Sequence, residues 1–329
     1  MGHMTECTAE TGKERIIKAL RREKIHGRVP HFELVFYLTM EVFGKVHPEH
    51  RNYRQWDQMS AIEKKLQLRD MAGCYIAIAE KYHHDAIFVT QVAPDLDVMI
   101  QLLETIREMS GDRYFLLIHG DPTFSIPDGG SMLEFTASLY EEPDRMKEIS
   151  ERRTRQALES AAKITERAGL LDGIGLCADY CFNVNPFFGP DLFGEFIAPY
   201  LKEAIDGYRK MGLYTIKHTD GNIMPILKQM ADCGPDALHS LDPQGGVDLK
   251  EVRRQCGNKI ALMGNVNCGL LHTGTDEECD REIRRSLRDG MEEYGYIFST
   301  SNCVYTGMPL HRYERMVEIW LKEGVYNGD

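Results

Sequence analysis

Short apolar stretches rich in branched and aromatic residues alternate with longer segments of helical periodicity along most of the chain. Eight stretches are candidate strands: residues 29–36, 86–89, 114–119, 173–178, 213–218, 237–241, 260–264 and 296–299. Strands that alternate with helices form a parallel sheet covered by helices. Because no Gly-rich phosphate turn occurs near the start, the pattern predicts a (β/α)8 TIM barrel with an N-terminal helical extension, in one domain over residues 1–329.

Several of the intervening helices carry their own start signals. Thr275 followed by Glu278 has the capping-box pattern, and Asp248 followed by Glu251 marks the start of a shorter helix. Residues 39–59, after the first candidate strand, are longer than an ordinary βα loop. We therefore predict that they form a helical flap over the open end of the barrel.

The composition narrows the class of partner. The chain has 39 Lys and Arg against 51 Asp and Glu, a net charge of −12, and no long basic run, so nucleic acid is not an expected ligand. Nine scattered cysteines without a Cys-x-x-Cys pair or a secretory signal predict reduced thiols in a cytoplasmic protein. No apolar stretch is long enough to cross a membrane.

Residues 1–12 are expected to be a tag remnant and a flexible N-terminus. The protein is expected to be a monomer or homodimer.

Polar residues follow most of the candidate strands, at the barrel end where such folds carry their chemistry. The most informative stretch is 218–222, because His218 and Asp220 lie two residues apart at a strand end and can point into one mouth. The other strand ends contribute Glu33, Thr90, Gln91, His119, Asp121, Asp179, Tyr180, Asn183, Asp242, Asn265, Asn267, Ser299, Asn302 and Cys303. About half of such residues are expected to be helix caps or turn formers, foremost Asp191, Asn222, Asp242 and Asp248.

The chain resembles the uroporphyrinogen decarboxylase superfamily from about Lys13 to Val325. The matching stretches are Arg28-Val-Pro-His-Phe-Glu33, Phe188-Gly-Pro-Asp-Leu-Phe193, His218-Thr-Asp-Gly-Asn222, Leu262-Met-Gly-Asn-Val266 and Met308-Pro309. The resemblance implies the barrel. It leaves the activity open, because the superfamily includes haem-pathway decarboxylases, corrinoid-dependent methyltransferases and other members.

The decarboxylases that the chain resembles bind a substrate with eight carboxylates. They use paired arginines after the first strand, an aspartate after the second and a histidine after the last. Residues 36–40, 88–91 and 300–303 hold these places here and contain none of those groups. A polyanion could not be desolvated in such a mouth without cationic partners, so this substrate is disfavoured.

The methyltransferase branch is the better match, since its thiol-methylating members resemble this chain at His218 and Cys303, two of their zinc ligands. Those members have His-x-Cys where this chain has His-x-Asp. Zinc binds imidazole, thiolate and carboxylate, so His218 and Cys303 with Asp220 or Glu33 are the predicted ligands. We predict transfer of a methyl group from a small donor, with an aryl methyl ether as the best guess, to Co(I) of a corrinoid. The chain lacks the Asp-x-His-x-x-Gly pattern of cobalamin-binding modules, so the cobalamin would arrive on a separate corrinoid protein.

This reaction assigns roles to the strand-end residues. Asp220 or Glu33 would protonate the leaving oxygen, zinc held by His218 would polarise it, and Asp179 would orient the substrate. The predicted substrate contacts are Phe36, Tyr37, Gln91, His119, Tyr180, Asn183, Asn265 and Tyr305. The sequence also predicts an aromatic mouth, formed by Phe32, Phe36, Tyr37, Phe88, Tyr180, Phe182 and Tyr305.

Two alternatives stay open at this point. One is a decarboxylase of a small carboxylic acid or a porphyrinogen-like substrate, which needs a cation in the mouth; Arg51, Arg54 and Lys217 are the candidates. The other is a non-catalytic scaffold that binds a corrinoid protein. Converging His, Asp, Glu and Cys side chains favour an enzyme over a scaffold.

Overall fold

Seven parallel strands pair in the order in which they occur in the chain. The computed structural model describes residues 10–90 and 95–326. Of the predicted tag remnant and flexible N-terminus at residues 1–12, residues 1–9 lie outside these ranges, whereas Thr11 caps the first helix and Gly12 begins it. The seven strands are β2 (Ala86–Val89), β3 (Phe115–His119), β4 (Gly173–Cys177), β5 (Tyr214–Thr219), β6 (Ala237–Ser240), β7 (Ala261–Val266) and β8 (Tyr296–Thr300). An antiparallel pair, β1 (Gly27–Arg28) and β9 (Val325–Tyr326), joins the two ends of the barrel chain.

Helices separate the strands and cover the sheet. They are α1 (Gly12–Leu20), α2 (Thr39–Phe43), α3 (Ala61–Tyr82), α4 (Leu96–Ser110), α5 (Met132–Glu141), α6 (Pro143–Thr165), α7 (Pro190–Leu192), α8 (Ala198–Lys210), α9 (Leu227–Asp232), α10 (Leu249–Cys256), α11 (Cys268–Thr273), α12 (Asp276–Gly290) and α13 (Leu310–Glu323). A π-helical turn at Phe193–Ile197 leads into α8, and 3-10 turns occur at Pro48–His50, Trp56–Gln58 and Pro243–Gly245. In the described ranges, no helix has the length and apolar character needed to span a bilayer.

The first predicted strand, residues 29–36, is present as an extended segment and not as a regular strand. His31 forms a parallel bridge to Phe298 of β8, and its carbonyl oxygen accepts a hydrogen bond of 2.7 Å from the amide of Asp85, next to β2. The segment therefore completes the barrel between β8 and β2. Pro30 has no N–H to donate to a ladder, which explains why regular pairing fails here. The TIM-barrel prediction is confirmed, while the prediction of a regular first strand is wrong.

Side chains alternate between the lumen and the helices along each strand. In β2, Phe88 packs into the lumen cluster with Leu117 and Met263, whereas Ile87 packs among the surrounding helices. Gly175 of β4 makes room for the lumen, because a Cβ at this position would lie 2.6 Å from the ring of Phe88. The lumen is thus filled with side chains below the mouth.

Helix α1 closes the N-terminal end of the barrel. Thr11 and Glu14 form a capping box at its start. Ile16, Ala19 and Leu20 are almost fully buried and belong to the same apolar cluster as the lumen side chains. The predicted N-terminal helical extension therefore closes the N-terminal end of the lumen.

Most of the predicted helix starts are confirmed. The capping box at Thr275 is present, and Asp248 accepts a hydrogen bond from the amide of Glu251. Asn222 and Asp242 accept from amides two residues further on, as turn formers do. Asp191 lies within α7 and caps nothing there, so that prediction is wrong. Residues 39–59 form α2 and two 3-10 turns, which confirms their helical character.

Candidate functional site

A cavity of about 310 Å³ lies at the C-terminal ends of the strands. It is lined by Leu34, Val35, Glu49, Phe88, Thr90, His119, Cys177, His218, His239, Asn302 and Cys303. Five of them are the last lumen-facing residues of their strands, namely Phe88, His119, Cys177, His218 and His239, and Glu49 comes from the flap. The lining holds three histidines, two cysteines and one carboxylate, but neither lysine nor arginine among the described residues.

Strand register explains how three of these side chains come together. Cys177 of β4 pairs with His218 of β5, and His218 pairs with His239 of β6. In a parallel sheet, residues in register on neighbouring strands point to the same face. Cys177, His218 and His239 therefore form one row across the wall of the cavity.

The two histidines of this row contact each other. Nδ1 of His218 lies 2.8 Å from Nδ1 of His239, and Nε2 of His239 lies 3.1 Å from the backbone oxygen of Thr300. His239 is 2% exposed. Burial, helped by the positive charge that His218 can carry, holds the pKa of His239 well below its usual range. His239 is therefore a neutral ring that bridges β5 and β8.

The other ring nitrogen of His218 faces two carboxylates. Nε2 of His218 lies 3.7 Å from Oδ1 of Asp179 and 3.8 Å from Oδ1 of Asp220. Asp220 accepts hydrogen bonds from Ser240 Oγ at 2.8 Å and from the Asn302 amide, and its own N–H donates to Oδ1 of Asp179 at 3.1 Å. Burial raises the pKa of Asp220, the nearby Asp179 carboxylate raises it further, and His218 opposes them. Asp220 is thus the carboxyl of this group that is best suited to hold a proton.

Asp179, His218 and Asp220 are the one set of potential metal ligands that converges in the described part of the chain, with ligand atoms within 4.8 Å of one another. One imidazole nitrogen and two carboxylate oxygens suit a divalent ion such as zinc and leave a coordination position open. His218 and Cys303 do not converge in this way with either predicted third ligand, Glu33 or Asp220. Cys303 does line the cavity, but burial raises the pKa of its thiol to about 11, which disfavours the thiolate that zinc needs.

Glu33 lies outside the lining of the cavity, behind the end of β8. It is 4% exposed, and its carboxyl group contacts Ser299 Oγ at 2.8 Å, Thr300 Oγ1 at 2.5 Å and the Thr300 amide at 3.1 Å. Burial raises its pKa to about 8, against the opposing hydrogen bonds. The structure therefore gives Glu33 a buried place in a hydrogen-bond network rather than direct access to the cavity.

Three predicted substrate contacts are core residues instead. Phe36 packs against the rings of Tyr82 and Tyr313. The hydroxyl of Tyr180 hydrogen-bonds to Oγ1 of Thr123 at 2.7 Å, and Tyr180 is fully buried. Asn265 is also fully buried, and its amide donates to a main-chain carbonyl oxygen. All three point away from the mouth and none lines the cavity, so substrate contact by these residues stays a prediction.

The remaining predicted contacts lie around the mouth or beyond the described ranges. Tyr37 donates to Glu49 at 2.6 Å and so reaches the cavity through the flap, and Tyr305 contacts the ring of an exposed histidine. Asn183 is exposed in the loop after β4, and His119 lines the cavity as predicted. Gln91 lies outside the described residues.

The expected aromatic mouth is much reduced. Of the seven aromatic side chains proposed for it, Phe88 is the one that lines the cavity in the described structure. Phe32 is fully buried in the lumen below, and Phe182 is largely exposed on the loop after β4. The apolar part of the wall comes instead from Leu34, Val35 and Phe88.

Sequence reasoning missed His239, Cys177 and Glu49. It collected residues that follow each strand, whereas His239 and Cys177 lie at the last lumen-facing positions within β6 and β4. The alternation of Ala237 and His239 on one face of β6 was the signal that could have found His239. Glu49 is placed by the path of the flap, which no local pattern specifies.

The candidate cations for a decarboxylase lie outside the cavity lining. Lys217 is fully buried on the outer face of β5, where its Nζ contacts Oδ2 of Asp121 at 2.8 Å. Arg51 donates to Asp70 and to a main-chain oxygen within the flap, and Arg54 is exposed. None of these three lines the cavity.

Comparisons with known proteins agree with the barrel. A family model described as Uroporphyrinogen decarboxylase (URO-D) matches residues 126–322. Uroporphyrinogen decarboxylase of Shewanella pealeana is 30% identical over 123 residues, which is 34% of this chain and 32% of that protein. The enzyme of the same name from Neisseria meningitidis is 25% identical over 244 residues, or 70% of this chain and 61% of its own length. The alignment thus spans about a third of the first curated relatives.

A solved structure described as a methyltransferase from Methanosarcina mazei is similar in fold. The two superpose with a TM-score of 0.72 and 19% sequence identity, and the match covers 95% of this chain and 98% of the other. At this identity the likeness concerns the architecture.

Proposed function

The chain belongs to the uroporphyrinogen decarboxylase family, and within it we propose that it is a methyltransferase that moves a methyl group from a small donor to Co(I) of a corrinoid carried by a separate protein. The observation that carries the proposal is the charge of the cavity. Its described lining contains no Lys or Arg, and the lining residue His218 has the carboxylates of Asp179 and Asp220 within 3.8 Å of its Nε2.

This charge pattern disfavours decarboxylation. A substrate carboxylate loses its hydration when it enters a site and needs a cation or several donors in exchange. Here it would meet Glu49 in the lining, with Asp220 behind His218 at 3.8 Å, and the candidate cation Lys217 is buried behind the wall and paired with Asp121. An uncharged donor meets no such penalty.

A methoxylated aromatic compound is the donor class that we propose. The cavity volume of about 310 Å³ is at the lower end for small-molecule sites and suits a single ring. Leu34, Val35 and Phe88 provide an apolar wall, and the polar groups stand on the other sides. The neighbour from Methanosarcina mazei, whose description is a methyltransferase, supports the reaction class at the level of fold.

The reaction breaks the bond between the methyl carbon and the ether oxygen. The electron pair of that bond stays on the oxygen, which takes a proton and leaves as a phenol, while Co(I) supplies the electron pair for the new bond to carbon. Asp220, whose pKa burial raises, is the proposed proton donor. Once the phenol has left, Asp220 regains a proton from water, which Nε2 of His218, 3.8 Å away, can accept and pass on. In a metal-bound form, a divalent ion held by Asp179, His218 and Asp220 would act as a Lewis acid on the same oxygen in place of the Asp220 proton.

The test is a methyl-transfer assay with free cob(I)alamin as acceptor and 2-methoxyphenol as donor, followed by the absorbance of methylcobalamin. We expect turnover by the wild type and its loss in Asp220→Asn. Asp232→Asn, an exposed residue at the end of α9 that pairs with Lys228, is the matched control and should keep wild-type activity. Absence of methyl transfer from methoxyarenes, methylamines and methanol, with carbon dioxide released from a small carboxylic acid, would overturn the proposal.

A further inference from the structure

We propose that His239 is a positioning residue that fixes the tautomer of His218, so that the neutral His218 ring presents the lone pair of Nε2 to Asp179 and Asp220. The catalytic consequence rests on the proposed function, because it concerns the same site. The tautomer itself is a property of the folded protein and can be measured without any substrate.

The first step is the bond between His239 and Thr300. Nε2 of His239 lies 3.1 Å from the backbone oxygen of Thr300. A carbonyl oxygen accepts hydrogen bonds and cannot donate them. The hydrogen between these two atoms therefore belongs to Nε2 of His239.

The second step is the charge of the His239 ring. The ring is buried, and its described hydrogen-bond partners are the Thr300 carbonyl and His218, so no carboxylate offsets a charge on it. A buried imidazolium without a counter-ion is costly, and the ring is therefore neutral. A neutral imidazole carries one hydrogen. Since that hydrogen is on Nε2, Nδ1 of His239 carries a lone pair.

The third step is the contact between the two rings. The 2.8 Å between the two Nδ1 atoms is a hydrogen-bond distance and needs one hydrogen between them. His239 has none at Nδ1, so the hydrogen is on Nδ1 of His218. In its neutral form His218 thus has a lone pair at Nε2, the atom that faces Asp179 and Asp220 at 3.7 and 3.8 Å.

The tautomer matters for either version of the proposed chemistry. A lone pair at Nε2 can accept a proton from a neighbouring group or bind a divalent ion, whereas an Nε2–H can do neither. The hydrogen bond at one nitrogen of an imidazole sets the role of the other. His239 therefore acts on the reaction through His218 and without touching the substrate.

The end of β6 supports the end of β5 at two successive residues. His239 stands in register with His218, and Ser240 stands in register with Thr219. Ser240 Oγ then reaches across to Asp220 at 2.8 Å. Adjacent residues of β6 thus hold the imidazole and the proposed acid of β5, which is the arrangement expected of a positioning element.

The experiment is long-range proton–nitrogen NMR of the protein labelled with 15N-histidine, recorded over a range of pH so that the neutral form of His218 is observed. Twelve histidines are present, and the His218 signals are assigned by their loss in His218→Gln. We expect the wild type to show His218 with hydrogen on Nδ1 and none on Nε2. A wild-type His218 that carries its hydrogen on Nε2 overturns the proposal, and this measurement needs no variant of His239.

Two variants test whether His239 determines the tautomer of His218. His239→Leu removes the acceptor, so the His218 hydrogen should move to Nε2, whereas His239→Asn keeps an acceptor oxygen near the position of Nδ1 and should preserve the wild-type tautomer. In the methyl-transfer assay we expect kcat of His239→Leu to fall by about tenfold or more with KM little changed, and His239→Asn to restore most of it. An unchanged tautomer in a folded His239→Leu protein would refute the role of His239.

The two proposals fail separately. If the wild type shows the expected tautomer but transfers no methyl group, the proposed function is wrong and the role of His239 stands. If methyl transfer occurs but His218 carries its hydrogen on Nε2, the role of His239 is wrong and the proposed function stands.

Discussion

Oε2 of Glu33 lies 2.5 Å from Oγ1 of Thr300, and the same hydroxyl oxygen lies 2.5 Å from the backbone oxygen of Asn302. The hydroxyl has one hydrogen and the carbonyl of Asn302 can only accept it. The single hydrogen of the Thr300 hydroxyl is therefore shared between two acceptors, so it compensates a charge on Glu33 only in part. Burial outweighs these hydrogen bonds and raises the pKa of Glu33 to about 8.

The raised pKa of Glu33 makes the free energy of unfolding depend on pH. The carboxyl loses its proton near its ordinary pKa of 4.5 in the unfolded chain but near 8 in the folded one. Between these values the folded state binds more protons, so the free energy of unfolding falls as pH rises, by up to about 1.4 kcal/mol per pH unit. Glu33→Gln cannot titrate, and its stability relative to the wild type should rise over this window.

Urea unfolding of both proteins between about pH 5 and about pH 8 measures the difference. Glu49→Gln, which removes an exposed carboxylate from the flap, is the control and should leave the wild-type slope unchanged. If the free energies of unfolding of Glu33→Gln and the wild type differ by the same amount at every pH in this window, Glu33 is ionised in the folded protein.

Asp220 should set the alkaline limb of the pH–rate profile. An acid donates only while it is protonated, so kcat should fall as pH rises through the pKa of Asp220, which burial has raised. Asp220→Asn should lower kcat by about 10²-fold or more and abolish this limb. Asp179→Asn should lower kcat but retain the limb. If Asp220→Asn keeps the limb, another group is the acid.

Bound metal should depend on the carboxylates more than on the thiol. After dialysis against zinc and then buffer, elemental analysis should find less zinc in His218→Ala and in Asp179→Asn than in the wild type, because each loses one of the converging ligands. Cys303→Ser should keep its zinc, since the thiol has a raised pKa and stands apart from that set. A zinc load that falls in Cys303→Ser would restore the ligand set suggested by the sequence.

Gly175 and Phe88 should be coupled. The Cβ of Gly175→Ala would approach the ring of Phe88 to 2.6 Å, so we expect a loss of about 1–3 kcal/mol in the free energy of unfolding. Phe88→Leu removes the ring atoms that cause the clash, and the double variant should lose less than the sum of the two single variants. Additive losses in urea unfolding would mean that the strand, and not the ring, opposes the methyl group.

The repetitive parts of the fold were predictable because local signals determine them. The alternation of strands and helices, the capping box at Thr275 and the caps at Asp242 and Asp248 all depend on residues close in sequence. The first strand was not predictable in detail, since Pro30 interrupts a ladder that the apolar pattern alone suggests.

The site was predictable only in part. Asp179, His218 and Asp220 follow from the rule that strand ends meet at one mouth, and the structure brings them together. The directions of Phe36, Tyr180 and Asn265 depend on how each strand twists and leaves the barrel, which spacing does not encode. His239 was overlooked because a histidine inside an apolar strand resembles a core residue until the register with His218 is known.

Helix α1 has a kinetic consequence for the proposed reaction. Ile16, Ala19 and Leu20 fill the opposite end of the barrel, so in the described structure both proposed reactants would enter from the C-terminal ends of the strands. A corrinoid domain bound at the C-terminal ends of the strands would block access of a methoxyarene from solution to the cavity. Addition should therefore be compulsorily ordered, with the arene first, and an excess of acceptor protein should slow turnover by forming a dead-end complex.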